Sequence, residues 1–492
     1  MTTFSALLNS PDLFREQGLI GGSWQDALSG ERREVFNPAS QERLGLYPYM
    51  GEAETRQAIE AAESAFASFR HSSAKTRGEI LERWADLLIA NTDDLALILT
   101  SEQGKPLAEA RAEIAISADY LRWFAGEGRR AYGRTIPSPL ATRRLLTVKQ
   151  PIGVTAHVTP WNFPMSMAAR KLAPAIAAGC TAVLKPSELT PYSAFAFAYL
   201  GEKAGLPAGV VNLVTGDAVS IGQALCAAEA VRKLSFTGST EVGRILYRQS
   251  AATIKKLSLE LGGNAPFIVF DDADIQAAAE GAFAAKFRNS GQTCVAANRI
   301  LVQASVHDAF AEALAAKMAT LKLGAGNDPG VTQGPLINQA AVEKVEAQIA
   351  DAVAKGARVE SGGTRLAAQS NFFTPTVVAN ATPAMRFFSE ETFGPLAPLI
   401  RFDEEAEAIR LANDSIYGLA AFFYSRDVGR CWRVAEALDY GQVGINAGVI
   451  TTVEAPFGGV KQSGLGREGA AEGLEDYLET KYIAFDGLGS PS

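Results

Sequence analysis

The chain has 492 residues, 47% of them hydrophobic and 20% charged, which is typical of a soluble globular protein with enough chain for about three domains. A net charge of −8 argues against nucleic acid or an anionic membrane surface as a partner. The 4 cysteines and 3 histidines are scattered, so neither a disulfide framework nor a metal site is expected.

No targeting or membrane signal is visible in the sequence. The first residues lack the charged-then-apolar pattern of a signal peptide, and no apolar run reaches about 18 residues. We therefore expect a cytoplasmic protein that does not cross a membrane.

The first third of the chain is predicted to be mainly helical. Apolar residues recur at helical spacing over 52–69, 76–91 and 105–124, after a short hairpin at 20–24. The proline-containing stretch 132–139 then leads into an alternating run, and because its prolines forbid a central strand we interpret it as a projecting hairpin.

Strands and helices alternate from residue 152 to residue 259. The predicted strands are 152–158, 181–184, 210–214, 233–236 and 257–259, with helices between them. This order predicts right-handed crossovers and a parallel sheet covered on both faces. Ligands bind beyond the carboxyl ends of such strands. The candidate binding segments are therefore 159–162, 185–188, 215–216 and 237–239. A second α/β unit is predicted from 266 to about 448, followed by a glycine-rich tail with a helix at 470–477 and a strand at 481–485.

A polar, glycine-containing turn at 287–299 carries one cysteine at its centre, Cys294. Asn and Gln amides lie close by, and Arg288 stands six residues upstream. That setting suits a nucleophile, because nearby donors stabilise the negative charge that follows attack by a thiolate. The alternative is an ordinary loop cysteine.

Two further polar groups suit catalysis. Glu260 stands among apolar residues next to paired glycines, where burial would raise its pKa towards the range useful to a general base. The alternative is a solvated turn glutamate. Asn162 lies between two prolines that stiffen the backbone, and a fixed amide donor is what an oxyanion hole needs.

The best candidate for a dinucleotide site is the turn that follows the strand at 233–236. Gly238 permits close approach, and Ser239 opens a helix whose free N–H groups suit a pyrophosphate. The alternative is a well-capped helix. Lys185 and Glu188 follow another strand, where a ribose would lie. A literal match to the dinucleotide fingerprint at 464–469 is rejected, because no predicted strand precedes it and too little chain follows.

Six motifs occur in the order found in the aldehyde dehydrogenase superfamily, which the chain resembles over nearly its whole length. They are Pro160-Trp161-Asn162-Phe163-Pro164, Phe236-Thr237-Gly238-Ser239-Thr240, Leu259-Glu260-Leu261-Gly262-Gly263, Gly291-Gln292-Thr293-Cys294, Glu390-Glu391-Thr392-Phe393-Gly394-Pro395 and Pro456-Phe457-Gly458-Gly459. The stretches 287–294 and 463–469 are most similar to the succinate-semialdehyde dehydrogenase branch.

The resemblance implies an α/β fold with three parts. These are an atypical Rossmann-type cofactor domain (1–126 and 149–261), an α/β catalytic domain (262–454), and a small β oligomerisation flap with the C-terminal segment (127–148 and 455–492). It also implies a homo-oligomer, either a dimer or a tetramer.

The resemblance further implies a thioester mechanism with NAD or NADP as cofactor. Cys294 attacks the aldehyde, Asn162 and the Cys294 backbone N–H stabilise the oxyanion, and Glu260 activates the water that releases the acid. The residues assigned to the cofactor are Thr159, Trp161, Lys185, Ser187, Glu188, Gly238, Ser239, Glu391 and Phe393.

Two positions depart from the pattern of the branch. Many relatives carry a second cysteine two positions after the nucleophile, where this chain has Ala296. Its NADP-preferring bacterial members tend to have a small residue where this chain has Glu188. Since a carboxylate accepts bonds from ribose hydroxyls but repels a 2′-phosphate, NAD is favoured over NADP.

In the branch resembled, two arginines and a hydroxyl hold the far carboxylate of the substrate. The matching residues here are Arg170, Arg288 and Thr451, and Phe457 is assigned to the substrate with them. The predicted substrate is thus a short ω-carboxylated semialdehyde, succinic or glutaric. The alternatives are a structural ion pair for either arginine, a dehydrogenase for uncharged aldehydes, and a non-catalytic relative.

Overall fold

Two large sheets, of eight and seven strands, dominate the computed structural model, which describes residues 4–487. The strands are β1 (Gly18–Ile20), β2 (Ser23–Gln25), β3 (Arg32–Phe36), β4 (Arg43–Pro48), β5 (Arg134–Ile136), β6 (Arg144–Pro151), β7 (Val154–Val158), β8 (Thr181–Lys185), β9 (Val211–Leu213), β10 (Val231–Thr237), β11 (Lys256–Glu260), β12 (Ala265–Val269), β13 (Ala297–Gln303), β14 (Arg358–Ser361), β15 (Thr376–Ala379), β16 (Leu396–Phe402), β17 (Ala420–Tyr424), β18 (Gln442–Ile445), β19 (Gly464–Leu465) and β20 (Leu478–Phe485).

The α-helices cover both faces of these sheets. They are α1 (Glu52–Phe69), α2 (Ala74–Ala90), α3 (Thr92–Gln103), α4 (Leu107–Arg129), α5 (Pro164–Ala178), α6 (Pro191–Lys203), α7 (Ala218–Ala227), α8 (Thr240–Ser250), α9 (Ile275–Phe287), α10 (His307–Met318), α11 (Gln339–Ala354), α12 (Arg386–Ser389), α13 (Glu405–Asn413), α14 (Val428–Ala437) and α15 (Glu472–Glu475). None of the helices within residues 4–487 is long and apolar enough to cross a membrane.

The first sheet has the strand order β19-β11-β10-β7-β8-β9-β1-β2, and β7 to β11 run parallel. Parallel strands end at one edge of a sheet, so the groups that follow them meet there. In the register, Thr237 lies opposite Glu260 and Val158 opposite Lys185. The alternation of elements thus predicted the edge at which the candidate site forms.

The second sheet has the order β14-β15-β16-β13-β12-β17-β18 and is parallel except for β14. The turn that carries Cys294 joins α9 to β13. Its residues Asn289, Ser290 and Gly291 all have positive φ, at 52°, 56° and 74°. A Cβ on Gly291 would lie 2.3 Å from the carbonyl oxygen of Gly394, so only glycine fits there. This left-handed run turns the chain back towards the first sheet.

A three-stranded antiparallel sheet, β20-β6-β5, stands apart from the two large ones. It contains the predicted hairpin and the predicted C-terminal strand. Helix α4 continues to Arg129 and β6 to Pro151, beyond the proposed domain limits, while β19 joins the first sheet. The domain boundaries themselves stay a prediction.

Candidate active site

Cys294 lies between two cavities and lines both of them. The first, of about 220 Å³, is here called the arginine cavity, and it is lined by Glu109, Ala112, Glu113, Ile116, Tyr120, Phe163, Ser166, Met167, Arg170, Arg288, Thr293, Cys294, Val295, Thr451 and Phe457. The second, of about 370 Å³, is the strand-end cleft, and it is lined by Pro160, Trp161, Asn162, Met167, Thr237, Gly238, Ser239, Glu260, Leu261, Gly262, Cys294, Ile337, Asn338, Ala340, Ala341, Lys344, Glu391 and Phe393.

The surroundings of Cys294 favour the neutral thiol. Burial raises the pKa of Cys294 to about 12, and the Arg170 guanidinium opposes that rise. The carboxylates of Glu391 and Glu260 add to it. The Cys294 thiol is therefore neutral at neutral pH, and a nearby base or positive charge would have to assist an attack by its sulfur.

The Asn162 side chain is fixed between the two sheets. Its Nδ2 donates to the Gln292 backbone carbonyl at 2.9 Å. The backbone carbonyl of Asn162 accepts bonds from Lys105 Nζ at 2.8 Å and Asn289 Nδ2 at 3.0 Å. A side-chain amide has two N–H donors. One is held by Gln292, so the other remains for an oxygen atom in the cleft that Asn162 shares with Cys294.

Glu260 ends β11 and is only 1% exposed, which excludes the solvated-glutamate alternative. Burial raises its pKa well above the usual range, and the nearby Glu468 carboxylate raises it further, against the opposing charges of Arg170 and Lys171. Within residues 4–487, neither carboxylate oxygen of Glu260 has a hydrogen-bond partner. A buried carboxylate with a raised pKa and free lone pairs is suited to bind a water molecule and take its proton.

A buried carboxylate that the sequence reasoning missed, Glu468, meets Arg170. Glu468 Oε2 lies 2.6 Å from Arg170 Nε, and Glu468 Oε1 lies 2.5 Å from Lys171 Nζ and accepts from Ser235 Oγ at 3.1 Å. Although burial alone would raise the pKa of Glu468, these two cations lower it to about 2. Arg170 also lies 4.2 Å above the Phe457 ring. The structural ion pair considered as an alternative for Arg170 is therefore present.

Arg288 differs from Arg170. It is half-buried, its guanidinium lies 5.5 Å from the centre of the Phe163 ring, and no carboxylate of residues 4–487 is within ion-pair distance of it. Thr451 lines the same cavity. The predicted substrate residues therefore do come together. Arg170 is ion-paired, whereas Arg288 has no carboxylate of residues 4–487 within ion-pair distance, and its charge lowers the burial-raised pKa of Glu109 in the same cavity.

The strand-end cleft fits a dinucleotide. Trp161 and Phe393 meet edge to face with ring centres 5.5 Å apart. Glu391 Oε1 accepts from the Gly263 backbone N–H at 2.9 Å, and burial raises the pKa of Glu391 to about 7. A Cβ on Gly262 would lie 3.0 Å from Glu391 Oε2, so a glycine at this position avoids crowding the Glu391 carboxylate in the cleft.

At the helix end of the cleft, Ser239 caps α8 by accepting the Val242 N–H at 3.3 Å, as the capped-helix alternative supposed. Ser239 and Gly238 nevertheless line the cleft. The N-terminus of α8 thus faces the space where a pyrophosphate would be held.

Four predicted cofactor residues lie outside the lining of the cleft, at the ends of β7 and β8. Lys185 Nζ forms an ion pair of 2.9 Å with Glu188 Oε2, whose side chain is 37% exposed. Ser187 Oγ accepts the Leu189 N–H, and the Thr159 N–H donates to the Lys185 carbonyl. The structure thus does not bring these four residues into the lining of the cleft, and their assignment to the cofactor stays a prediction.

Other residues near the site were not predicted. Lys344 lines the strand-end cleft near Glu391, and Glu109 and Glu113 line the arginine cavity. The spacing of Lys105, Glu109 and Glu113, each four residues apart, was a signal that these charges share one helical face.

A partly accessible thiol, a fixed amide and a buried carboxylate lie together at the carboxyl edge of a parallel sheet, beside an open cleft, as in an α/β enzyme. The chain belongs to the aldehyde dehydrogenase family, whose model matches residues 24–483. It is thus an NAD(P)-dependent enzyme that acts on aldehydes, as predicted.

Known proteins similar to this chain cover almost all of it. The glutarate-semialdehyde dehydrogenase of Pseudomonas putida and the succinate-semialdehyde dehydrogenase [NADP(+)] GabD of Escherichia coli are each 57% identical over 476 residues, which is 97% of this chain and 99% of each relative. A crystal structure of succinate-semialdehyde dehydrogenase from Burkholderia pseudomallei is 59% identical, with a TM-score of 0.97 over 98% of this chain and 100% of that one. The predicted family and α/β fold class are confirmed, whereas the roles of individual site residues stay predictions.

Proposed function

We propose that the protein oxidises a short aldehyde with a terminal carboxylate, succinic or glutaric semialdehyde, to the dicarboxylic acid. The observation that carries this proposal is the Arg288 guanidinium, which lines the cavity of Cys294 without a carboxylate partner among residues 4–487. A guanidinium in such a cavity pairs best with a carboxylate, which it can contact through two parallel N–H bonds. The names of the two semialdehyde dehydrogenases described above support the same class of substrate.

In the proposed reaction, the Cys294 thiol gives its proton to the Glu260 carboxylate in the same cleft, from which the proton passes to solvent. The sulfur adds to the aldehyde carbon, and the carbonyl oxygen takes up the negative charge. The free N–H of the Asn162 amide and the Cys294 backbone N–H donate to that oxygen. A nicotinamide cofactor held in the strand-end cleft by Trp161, Glu391 and Phe393 would supply the acceptor for the hydride, and Cys294 would then carry the acyl group as a thioester. Glu260 takes a proton from water, the resulting hydroxide attacks the thioester, and the acid leaves as the thiol re-forms.

We further propose NAD as the preferred cofactor. The support is Glu188, whose carboxylate neutralises Lys185 at 2.9 Å and would repel a 2′-phosphate. The relative from Escherichia coli is named for NADP(+), so the two cofactors must be compared directly. A higher kcat/KM of the wild type with NADP would contradict this part of the proposal.

A dehydrogenase for uncharged aldehydes is the second candidate. Its support is the neutralisation of Arg170 by Glu468 at 2.6 Å, together with the two further carboxylates, Glu109 and Glu113, in the arginine cavity. Under this alternative the cavity offers little net positive charge to a substrate carboxylate.

Steady-state kinetics of the wild type separate the two candidates. We would measure kcat/KM for succinic semialdehyde, glutaric semialdehyde and butanal, each with NAD and with NADP. The proposal expects the better semialdehyde to exceed butanal by about 30-fold or more, equivalent to about 2 kcal/mol from one charge-assisted contact. Equal values for butanal would favour the second candidate.

The assembly and location of the protein are also proposals. We propose a cytoplasmic homo-oligomer, dimer or tetramer, with the sheet β20-β6-β5 as the flap between protomers and the three-part domain division given above. The support is that both edges of this small sheet are free among residues 4–487. Light scattering coupled to gel filtration would test it, and a monomeric mass would contradict it.

A further inference from the structure

Three charged residues stand four positions apart at the start of α4: Lys105 lies two residues before the helix, and Glu109 and Glu113 lie within it. Lys105 and Glu113 form an ion pair of 2.6 Å, and their side chains are 0% and 1% exposed. A buried pair of this kind is seldom a source of net stability, because desolvation offsets the attraction. The contacts of this ion pair instead indicate a role in positioning a neighbouring segment.

The pair holds both ends of the segment that presents Asn162. Lys105 Nζ donates to the Asn162 carbonyl at 2.8 Å and lies 3.8 Å from the centre of the Phe163 ring. Glu113 Oε1 accepts the backbone N–H groups of Met165 at 2.9 Å and Ser166 at 3.2 Å, at the start of α5. The backbone before and after Phe163 is therefore fixed by one ion pair.

Glu109 also binds the turn that carries Cys294. Glu109 Oε2 accepts the backbone N–H of Asn289 at 2.8 Å, and the Asn289 amide donates to the Asn162 carbonyl at 3.0 Å. Asn289 begins the left-handed run that leads to Cys294. Both segments that would supply the oxyanion donors, one from each large sheet, are thus tied to the start of α4 and to Lys105 just before it.

The backbone of Lys105 is held independently of its side chain. The N–H of Leu107 donates to the Gly326 carbonyl at 2.9 Å, and a Cβ on Gly326 would lie 2.2 Å from the Lys105 carbonyl oxygen. A change in the Lys105 side chain therefore leaves the backbone at this point clamped in place.

We propose that Lys105, acting with Glu113, is a positioning residue that sets the place of the Asn162 amide relative to Cys294. Lys105 is absent from the lining of both cavities, so it acts through Asn162 and not on the substrate. This inference rests on the proposed use of Asn162 as an oxyanion donor.

The test is a double-mutant cycle. Replacing Lys105 alone would leave the Glu113 carboxylate buried and unpaired, so the variant is Lys105→Met with Glu113→Gln. The amide oxygen of the introduced glutamine keeps the bonds from Met165 and Ser166. The variant loses the charge pair, the bond to Asn162, the contact of Lys105 with the Phe163 ring and the negative charge of Glu113 in the arginine cavity. This neutral pair is made in the wild type and in Asn162→Ala, and Lys105→Arg, which keeps a charged donor, serves as the rescue variant.

The readouts are the single-turnover rate of NAD(P)H formation, KM for the aldehyde, and Tm. In the wild-type background the neutral pair should lower the single-turnover rate about 10- to 100-fold, because a misplaced donor loses most of its effect, with KM changed less than about threefold. In the Asn162→Ala background the neutral pair should lower the single-turnover rate less than about twofold, although Tm should fall equally in the two backgrounds. Lys105→Arg should restore most of the rate.

Equal fold-losses in the two backgrounds, or no loss in the wild type, would overturn the proposal and leave the pair a purely structural role. If the neutral pair is not recovered folded, Glu113→Gln alone is carried through the same cycle, and independent effects again overturn it. The cycle uses whichever aldehyde the wild type oxidises, so a wrong substrate assignment is detected separately, by the wild-type rates.

Discussion

Replacing Arg288 by alanine should distinguish a carboxylated substrate from an uncharged one. The change removes a half-buried guanidinium that has no carboxylate of residues 4–487 within ion-pair distance, although its charge lowers the burial-raised pKa of Glu109, which keeps the charge of Lys105 and the Asn289 N–H nearby. The difference in loss between a charged and an uncharged aldehyde therefore reports the contact with the substrate carboxylate. Removal of a charge-assisted, bidentate contact costs about 3 kcal/mol, roughly a 150-fold fall in kcat/KM for succinic semialdehyde.

The assay compares succinic semialdehyde with butanal, which has the same number of carbon atoms but no charge. Butanal should lose less than about threefold on Arg288→Ala, since no charged contact is removed. Arg170→Ala is the matched comparison. It leaves Glu468 with Lys171 as its remaining cation and removes the charge that opposes the raised pKa of Glu260, so both substrates should suffer. Equal losses on both substrates for Arg288→Ala would refute the carboxylate contact and favour the uncharged-aldehyde alternative.

The remaining predictions concern the nucleophile, the base and the cofactor. Cys294→Ala should retain less than about 1% of activity while binding cofactor normally by calorimetry, and higher turnover would contradict covalent catalysis. Glu260→Gln should accumulate an acyl-enzyme visible by intact mass, and normal turnover without it would contradict the role of Glu260. Glu188→Ser should raise kcat/KM with NADP relative to NAD by roughly 5- to 30-fold, because one repulsive charge is lost and Lys185 is released, and an unchanged ratio would refute the interpretation of Glu188. Because burial raises the pKa of Cys294 to about 12, alkylation of Cys294 in the cofactor-free enzyme, followed by peptide mass, should keep rising about tenfold per pH unit through about pH 9, and a plateau near pH 8 would contradict that pKa.

The elements that could be predicted are those with a clear period. The helix at 52–69 matches α1, and the alternation from 152 to 259 correctly indicated the parallel sheet. Helix α3 was missed because nine of its 12 residues are buried, so no polar face marks its period. The predicted helix at 470–477 shrinks to α15, since Gly469 and Ala470 both have positive φ and cannot begin a right-handed helix.

The candidate site likewise contains residues that could be predicted from the sequence and residues that could not. Motif residues such as Asn162, Glu260 and Cys294 could be chosen because each combines a suitable group with a local turn or strand end. The residues that contact and position them could not be predicted from the sequence. Lys105, for example, is 57 residues from Asn162, and Lys171 is 297 residues from Glu468. Pairing at such separations depends on how the two sheets pack, and no local pattern in the chain records it.

Because Cys294 opens onto two separate spaces, electrophilic reagents fall into two kinds according to their route of entry. With NAD(P) in the strand-end cleft, as proposed, a reagent that enters there would compete with the cofactor for the same volume, and saturating cofactor would protect the thiol from it. A reagent that enters through the arginine cavity leaves that volume free, and it reacts with the cofactor-bound enzyme. Inhibitors of the second kind, carrying a carboxylate for Arg288 and an electrophile for Cys294, would keep their potency at the cofactor concentrations of a living cell.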